Sequence, residues 1–251
     1  NHRISLRFSK FIATATVMLL VAQAQAISTA ALRQGIPSLA LMLEQVTPAV
    51  VSIRVSKAMP TSRRGSEQMG RPYATGAGSG VIVDAAQGLI ITNHHVVDGA
   101  SRITVRLRDE RTLEATLLGS DPGTDVALLQ VQAQGLIEIA FADVSTVAVG
   151  DYVVAIGNPF GIGQTVTSGI VSALGRAGIN NDNYEDFIQT DAAINLGNSG
   201  GALVDMEGNL IGINTAIISG SGGSNGIGFA VPVNMVATVM EHLKLDGEVR
   251  R

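Results

Sequence analysis

The chain has 251 residues, 46% of them hydrophobic and only 4% aromatic, with 29 glycines and a net charge of −4. That apolar content excludes general disorder, and the mild charge, without a Lys/Arg stripe, excludes a nucleic-acid surface. The lack of cysteine excludes disulfides, a thiolate nucleophile and cysteine-ligated metal.

Arg3, Arg7 and Lys10 precede an apolar run over residues 11–22, and Ala24-Gln25-Ala26 supplies a small-x-small cleavage site. Charged, then apolar, then cleavable is the order of a secretory signal, and a run of about 12 residues falls short of the roughly 20 that a bilayer span needs. Residues 1–26 are expected to be a signal peptide, with an uncleaved membrane anchor as the alternative. Residues 27–36 form an N-terminal extension. Ser38 can cap a helical pattern whose apolar face is Leu39, Leu41, Met42, Leu43 and Val46, and Pro48 stops it. A first strand follows at 49–55, then a polar surface loop at 57–77.

Beyond Gly78 the pattern predicts short strands at 80–83, 88–92, 103–107, 112–119, 126–131, 152–157, 164–174, 187–190, 202–204, 210–218 and 228–231. Turn residues such as Asp121-Pro122-Gly123 and Glu207-Gly208-Asn209 separate them. Val/Ile-rich runs between regular turns predict an all-β fold, barrel or sandwich. Pro232 opens a last helix with Met235, Val236, Val239, Met240 and Leu243 on one face, ending near Gly247. The boundary between the two strand-rich halves falls near 137–150.

Three segments carry chemistry: Thr92-Asn93-His94-His95-Val96-Val97, Thr124-Asp125-Val126-Ala127-Leu128-Leu129 and Gly197-Asn198-Ser199-Gly200-Gly201. Histidine, aspartate, serine is the chain order of the two-barrel serine proteases. A serine hydroxyl needs a base within hydrogen-bond reach, and the base needs a third group to hold its tautomer. The assignment is Ser199 as nucleophile, His95 as general base and then acid, and Asp125 as orienting carboxylate. The Gly197-Asn198-Ser199 backbone would form the oxyanion hole, with the Gly197 and Ser199 amides as donors. Taken singly, each segment has a plainer reading. A serine between glycines is more often a turn, His95 could be a packed histidine, and Asp125 could be a turn residue. Asp121 competes with Asp125 and looks like that turn. His94 and His95 point to opposite faces if they end a strand, with His94 toward solvent.

The stretches TNHHVV, SDPGTDVALLQV, AIGNPFGIGQTVTSGIVSALGR, QTDAAINLGNSGGALVD and GIGFAVP, in that order, resemble the HtrA/Deg family of serine proteases, most closely its DegQ/DegP-type bacterial envelope members. The match runs from about Pro37 to Arg251 and carries the family's catalytic roles onto His95, Asp125 and Ser199. It implies a chymotrypsin-like double β-barrel, with the first barrel at about 49–136, the second at about 150–232 and a C-terminal helix at 232–246. It also implies a homotrimer in the periplasm that degrades unfolded or damaged envelope proteins without ATP, cofactor or metal, and in some members a chaperone role. Cleavage would follow small aliphatic residues, with Ile194 and Ile217 matching the pocket positions and no acid there to invite Lys or Arg. Thr215, Ala216, Ile217, Ile218 and Ser219 match the segment that pairs with substrate backbone as an added strand. Arg176 matches an arginine that orders the loops around the site, and residues 158–164, 177–187 and 218–226 correspond to those loops. Leu196 departs from the Arg or Pro usual in relatives, which puts loop regulation in question. The match ends where relatives continue into PDZ domains, so the expectation is a protease domain without them.

Two further readings compete. A client-holding chaperone form would keep its site inactive or under loop control. An α/β-hydrolase esterase fits Gly197-x-Ser199-x-Gly201 literally, but that fold needs an acid and then a histidine after the serine, and no βαβ alternation surrounds His242. A phosphate-binding reading of residues 76–80 is weaker, because a strand and not a helix follows.

Overall fold

Strands of three to twelve residues must find backbone partners on both sides if they are to be buried. In the computed structural model, which describes residues 38–58, 73–158, 163–178, 185–195, 197–217 and 224–249, they do so by closing twice. Strands β1 (Val50–Ala58), β2 (Tyr73–Asp84), β3 (Leu89–Thr92), β4 (Arg102–Arg106), β5 (Thr112–Asp121) and β6 (Val126–Val131) form one barrel in the order β1-β2-β3-β6-β5-β4. Strands β7 (Tyr152–Gly157), β8 (Thr165–Arg176), β9 (Phe187–Thr190), β10 (Ala202–Val204), β11 (Leu210–Ile217) and β12 (Gly228–Pro232) form a second in the order β10-β11-β12-β9-β8-β7. The chain is therefore an all-β, chymotrypsin-like double β-barrel. By contacts it divides into Asn1–Leu41 and Met42–Arg251, and both barrels lie in the second unit. The expected signal peptide and extension lie outside the described residues.

Alternate residues of each strand fill the two interiors. Val51, Ile53, Val55, Ile90, Val105 and Leu129 belong to the first core, and Val153, Ala155, Ile188, Leu203 and Ile211 to the second. In β6 the opposite face is buried too, at Val126 and Leu128, because helix α3 (Val233–Asp246) packs on β5 and β6 of the first barrel as well as β11 and β12 of the second. This double burial explains why β6 reads as a continuous apolar run. Gly247 ends α3 in the left-handed region (φ 72°) and donates its N–H to Leu243 O at 3.1 Å.

Three expectations change in detail. Strands β1 and β2 run on through residues 57–58 and 73–77, in register Ala58↔Tyr73, so both ends of the stretch expected as a loop over 57–77 are strand, and residues 59–72 lie outside the described residues. Pairing satisfies backbone groups that a polar composition had assigned to a loop. Helix α1 (Ala40–Val46) begins two residues after Ser38, whose hydroxyl accepts the Ala40 N–H at 3.3 Å. Pro48 then sits inside a 3₁₀ turn, Thr47–Ala49.

Candidate active site

The end of β3 delivers the first functional group. Leu89–Thr92 is wholly buried, and the chain then turns at Asn93 into a one-turn helix α2, His94–Val97. Val96 and Val97 anchor that turn in the first barrel's core. In a helix neighbouring side chains stand about 100° apart, so His94 and His95 are not on opposite faces as a strand end would place them. The expected exposure is also reversed. His94 is half-buried with Nδ1 3.0 Å from the Ser120 hydroxyl, whereas the His95 side chain is 50% exposed.

Asp125 arrives from the turn before β6. The buried Asp121 carboxylate accepts the Thr124 N–H (3.1 Å) and hydroxyl (2.6 Å), which folds residues 121–124 into a compact turn. Asp125 follows with φ 56°, a left-handed conformation that Asp tolerates better than most residues. Its carbonyl is held by the His94 N–H (3.1 Å) and by Asn93 Nδ2 (3.0 Å). Its carboxylate takes the His95 backbone N–H on Oδ1 (3.0 Å) and His95 Nδ1 on Oδ2 (2.8 Å). A carboxylate on Nδ1 places the ring proton there and leaves Nε2 as an acceptor. The Thr215 hydroxyl also donates to Asp125 Oδ2.

Ser199 comes from the second barrel, on a turn that only glycine permits. Gly197 and Gly200 have φ of 96° and 81°. A Cβ on Gly200 would lie 2.2 Å from Ser79 O, and one on Gly201 2.2 Å from Ile156 O. The turn is tied down by Gly200 N–H to Asn214 O (2.8 Å), Gly201 N–H to Asn198 O (2.9 Å) and Ser79 N–H to Ser199 O (2.9 Å). Asn198 donates its own amide to Asn195 O (3.0 Å). Of the three residues expected around an oxyanion hole, its amide is the one already engaged. The Gly197 and Ser199 amides make no hydrogen bond among the described residues. The Ser199 hydroxyl donates to Thr215 O at 3.2 Å and makes no hydrogen bond to His95 among the described residues.

The remaining expected residues are spread over the second barrel. Ile194 is 1% exposed and belongs to its core, against Gly228, where a Cβ would come within 2.8 Å of Ile194 Cδ1. Thr215 is the extra residue of a bulge where β11 pairs with β12. Ala216 and Ile217 end β11, while Ile218, Ser219 and Leu196 lie outside the described residues. Arg176 ends β8 and donates from Nε to Gln189 Oε1 on β9 at 3.0 Å; among the described residues it makes no bond to the triad. No cluster of metal-ligating side chains occurs among the described residues. Sequence reasoning missed the bond from the Thr215 hydroxyl to Asp125 and the contacts of Ser79 with Ser199 and Gly197.

Comparison with known proteins adds to this geometry. A family profile described as a trypsin-like peptidase domain matches residues 78–213. The periplasmic serine endoprotease DegP of Salmonella typhimurium is 49% identical, over 91% of this chain and 55% of that protein. The periplasmic pH-dependent serine endoprotease DegQ of Escherichia coli is 51% identical, over 86% of this chain and 50% of that protein. The chain thus spans about half the length of these curated relatives. Among solved structures, the HtrA-type protease AlgW with a tripeptide superposes with a TM-score of 0.76 at 48% identity, covering 85% of this chain and 65% of that one. AlgW with a decapeptide gives 0.75 at 45%, covering 84% and 69%.

Proposed function

The chain belongs to the trypsin-like peptidase family, in its HtrA/Deg branch, and on that premise we propose that it is a periplasmic serine endopeptidase. It would act without ATP on unfolded or damaged envelope proteins and cut after small aliphatic residues. The observation that carries the reading is the Asp125 carboxylate gripping both the ring and the backbone N–H of His95, with the Gly197 and Ser199 amides uncommitted among the described residues.

In the proposed reaction Ser199 turns its hydroxyl from Thr215 O to His95 Nε2. Its oxygen attacks the substrate carbonyl carbon while Nε2 takes the proton. The carbonyl oxygen gains negative charge and is met by the Gly197 and Ser199 amides, donors worth about 3 kcal/mol each to the transition state. His95 then hands the proton to the departing amine, which leaves an acyl-enzyme. Water repeats the sequence with His95 again as base, releasing the acid and restoring Ser199. Ile194 and Ile217 would limit the pocket to Val, Ala or Ile, and residues 215–219 would pair with the substrate backbone. Periplasmic placement is supported by the signal-like N-terminus and by what the relatives are named. Among the described residues no helix is long and apolar enough to cross a membrane.

Reduced, unfolded casein tests this directly. The protein should cut it after Val, Ala or Ile, as mapped by mass spectrometry, and Ser199→Ala should abolish the cuts. Cleavage persisting in Ser199→Ala would end the reading. One observation favours a second reading, a client-holding form with a resting site: the Ser199 hydroxyl is bonded to Thr215 O and not to His95. Protection of heated casein from aggregation, with no cleavage, would support that form instead.

A further inference from the structure

Ser79 lies on β2 in the first barrel, fully buried, and touches the second barrel at three points. Its backbone N–H donates to Ser199 O (2.9 Å). Its hydroxyl accepts the N–H of Asn158 (2.7 Å), just beyond β7, and donates to Gly197 O (2.5 Å). Its own carbonyl is fixed by the Thr92 hydroxyl at 2.7 Å. A hydroxyl has one proton to give. With Asn158 donating to the oxygen, that proton is committed to Gly197.

The peptide plane between Gly197 and Asn198 is therefore held at both ends, its C=O by Ser79 and its N–H by Asn195 O. On either side of this plane stand two amides that have no acceptor among the described residues, those of Gly197 and Ser199. Gly197, with no Cβ, has wide conformational freedom, so the direction of these amides depends on what holds the plane. We propose that Ser79 is a positioning residue for the oxyanion hole: its hydroxyl pins the Gly197 carbonyl and so aims the Gly197 and Ser199 amides at the reacting oxygen. The proposal rests on the protease reading above. A buried hydroxyl bridging two barrels could instead serve stability alone, and the two roles predict different measurements.

Ser79→Ala would be compared with the wild type for thermal stability, for kcat and KM on a peptide cut after Val, and for affinity toward two ligands. One is a peptidyl boronic acid ending in the valine analogue, whose tetrahedral adduct with Ser199 puts an oxygen in the hole. The other is the uncleaved peptide, bound to forms that also carry Ser199→Ala. Ser79→Ala should lower kcat by roughly 10- to 100-fold with KM little changed, somewhat less than the loss of a whole donor. Boronate affinity should fall in parallel while peptide affinity holds. Ser79→Cys, whose thiol is a weaker donor, should fall between the two, and it decides the matter if Ser79→Ala does not fold. An unchanged kcat in either folded variant, or equal losses of boronate and peptide affinity, would overturn the positioning role. A wild-type protein that neither cleaves the peptide nor takes up the boronate would overturn the protease reading and this role with it. An active wild type beside an unaffected Ser79→Ala overturns the Ser79 role alone.

Discussion

Thr215 shows how much a single hydroxyl can be asked to do. Its carbonyl accepts the Ser199 hydroxyl and its side chain donates to Asp125, so it touches both ends of the proposed triad from a bulge in β11. Hydrogen bonds to a charged group contribute about 1.5–3 kcal/mol. Thr215→Val, which keeps the shape and removes the donor, should therefore lower kcat/KM by at least roughly tenfold, and Thr215→Ser should recover most of the loss. Steady-state kinetics on the casein-derived peptide would check this, and a Thr215→Val enzyme with wild-type kcat/KM would refute it. His95, Asp125 and Ser199 stand out as candidates because each sits in a short stretch of chemically telling neighbours, and the structure brings His95 and Asp125 into hydrogen-bond contact. The Thr215 and Ser79 hydroxyls do not stand out, since their partners lie 90 and 118 residues away and no local pattern announces such a bond. The order of exposure of His94 and His95 was misread for a smaller reason: a four-residue helix interrupts what alternation presents as a strand end.

At the level of elements, nearly every strand was visible in the alternation of Val/Ile runs with Gly, Pro and Asp turns. The ends were harder to read, as in β1 and β2, where pairing extends strands into polar sequence. The docking of α3 could not be read from its own residues. It depends on Gly119 in β5, where a Cβ would stand 2.3 Å from the carbonyl oxygen of Gly247, the helix cap. That neighbour is backbone, so it cannot swing aside as a side chain would. Gly119→Ala should cost about 1–3 kcal/mol of stability, the usual range for overpacking, and should loosen the last turn of α3. A urea melt with an unchanged midpoint would show that strand and helix can move apart without penalty.

For the whole molecule, the resemblance implies a trimer. Sedimentation equilibrium should return three times the chain mass, and a monomer at micromolar concentration would refute the trimer. The proposed site draws on both barrels, His95 and Asp125 from the first and Ser199 with Thr215 from the second, so activity would report on their mutual placement and not on either alone.

Barrel closure has a consequence for which proteins the enzyme would spare. If residues 215–219 hold the peptide as proposed, it must arrive as an extended strand with its backbone groups unpaired. In each closed barrel every strand already has a partner on both sides. A folded copy of this chain therefore offers its neighbour's site no barrel strand that is free along both edges, whereas an unfolded chain offers many. Immunity to self-digestion and preference for damaged clients would then be one property. Both would follow from pairing topology, with no need for a recognition motif in the client.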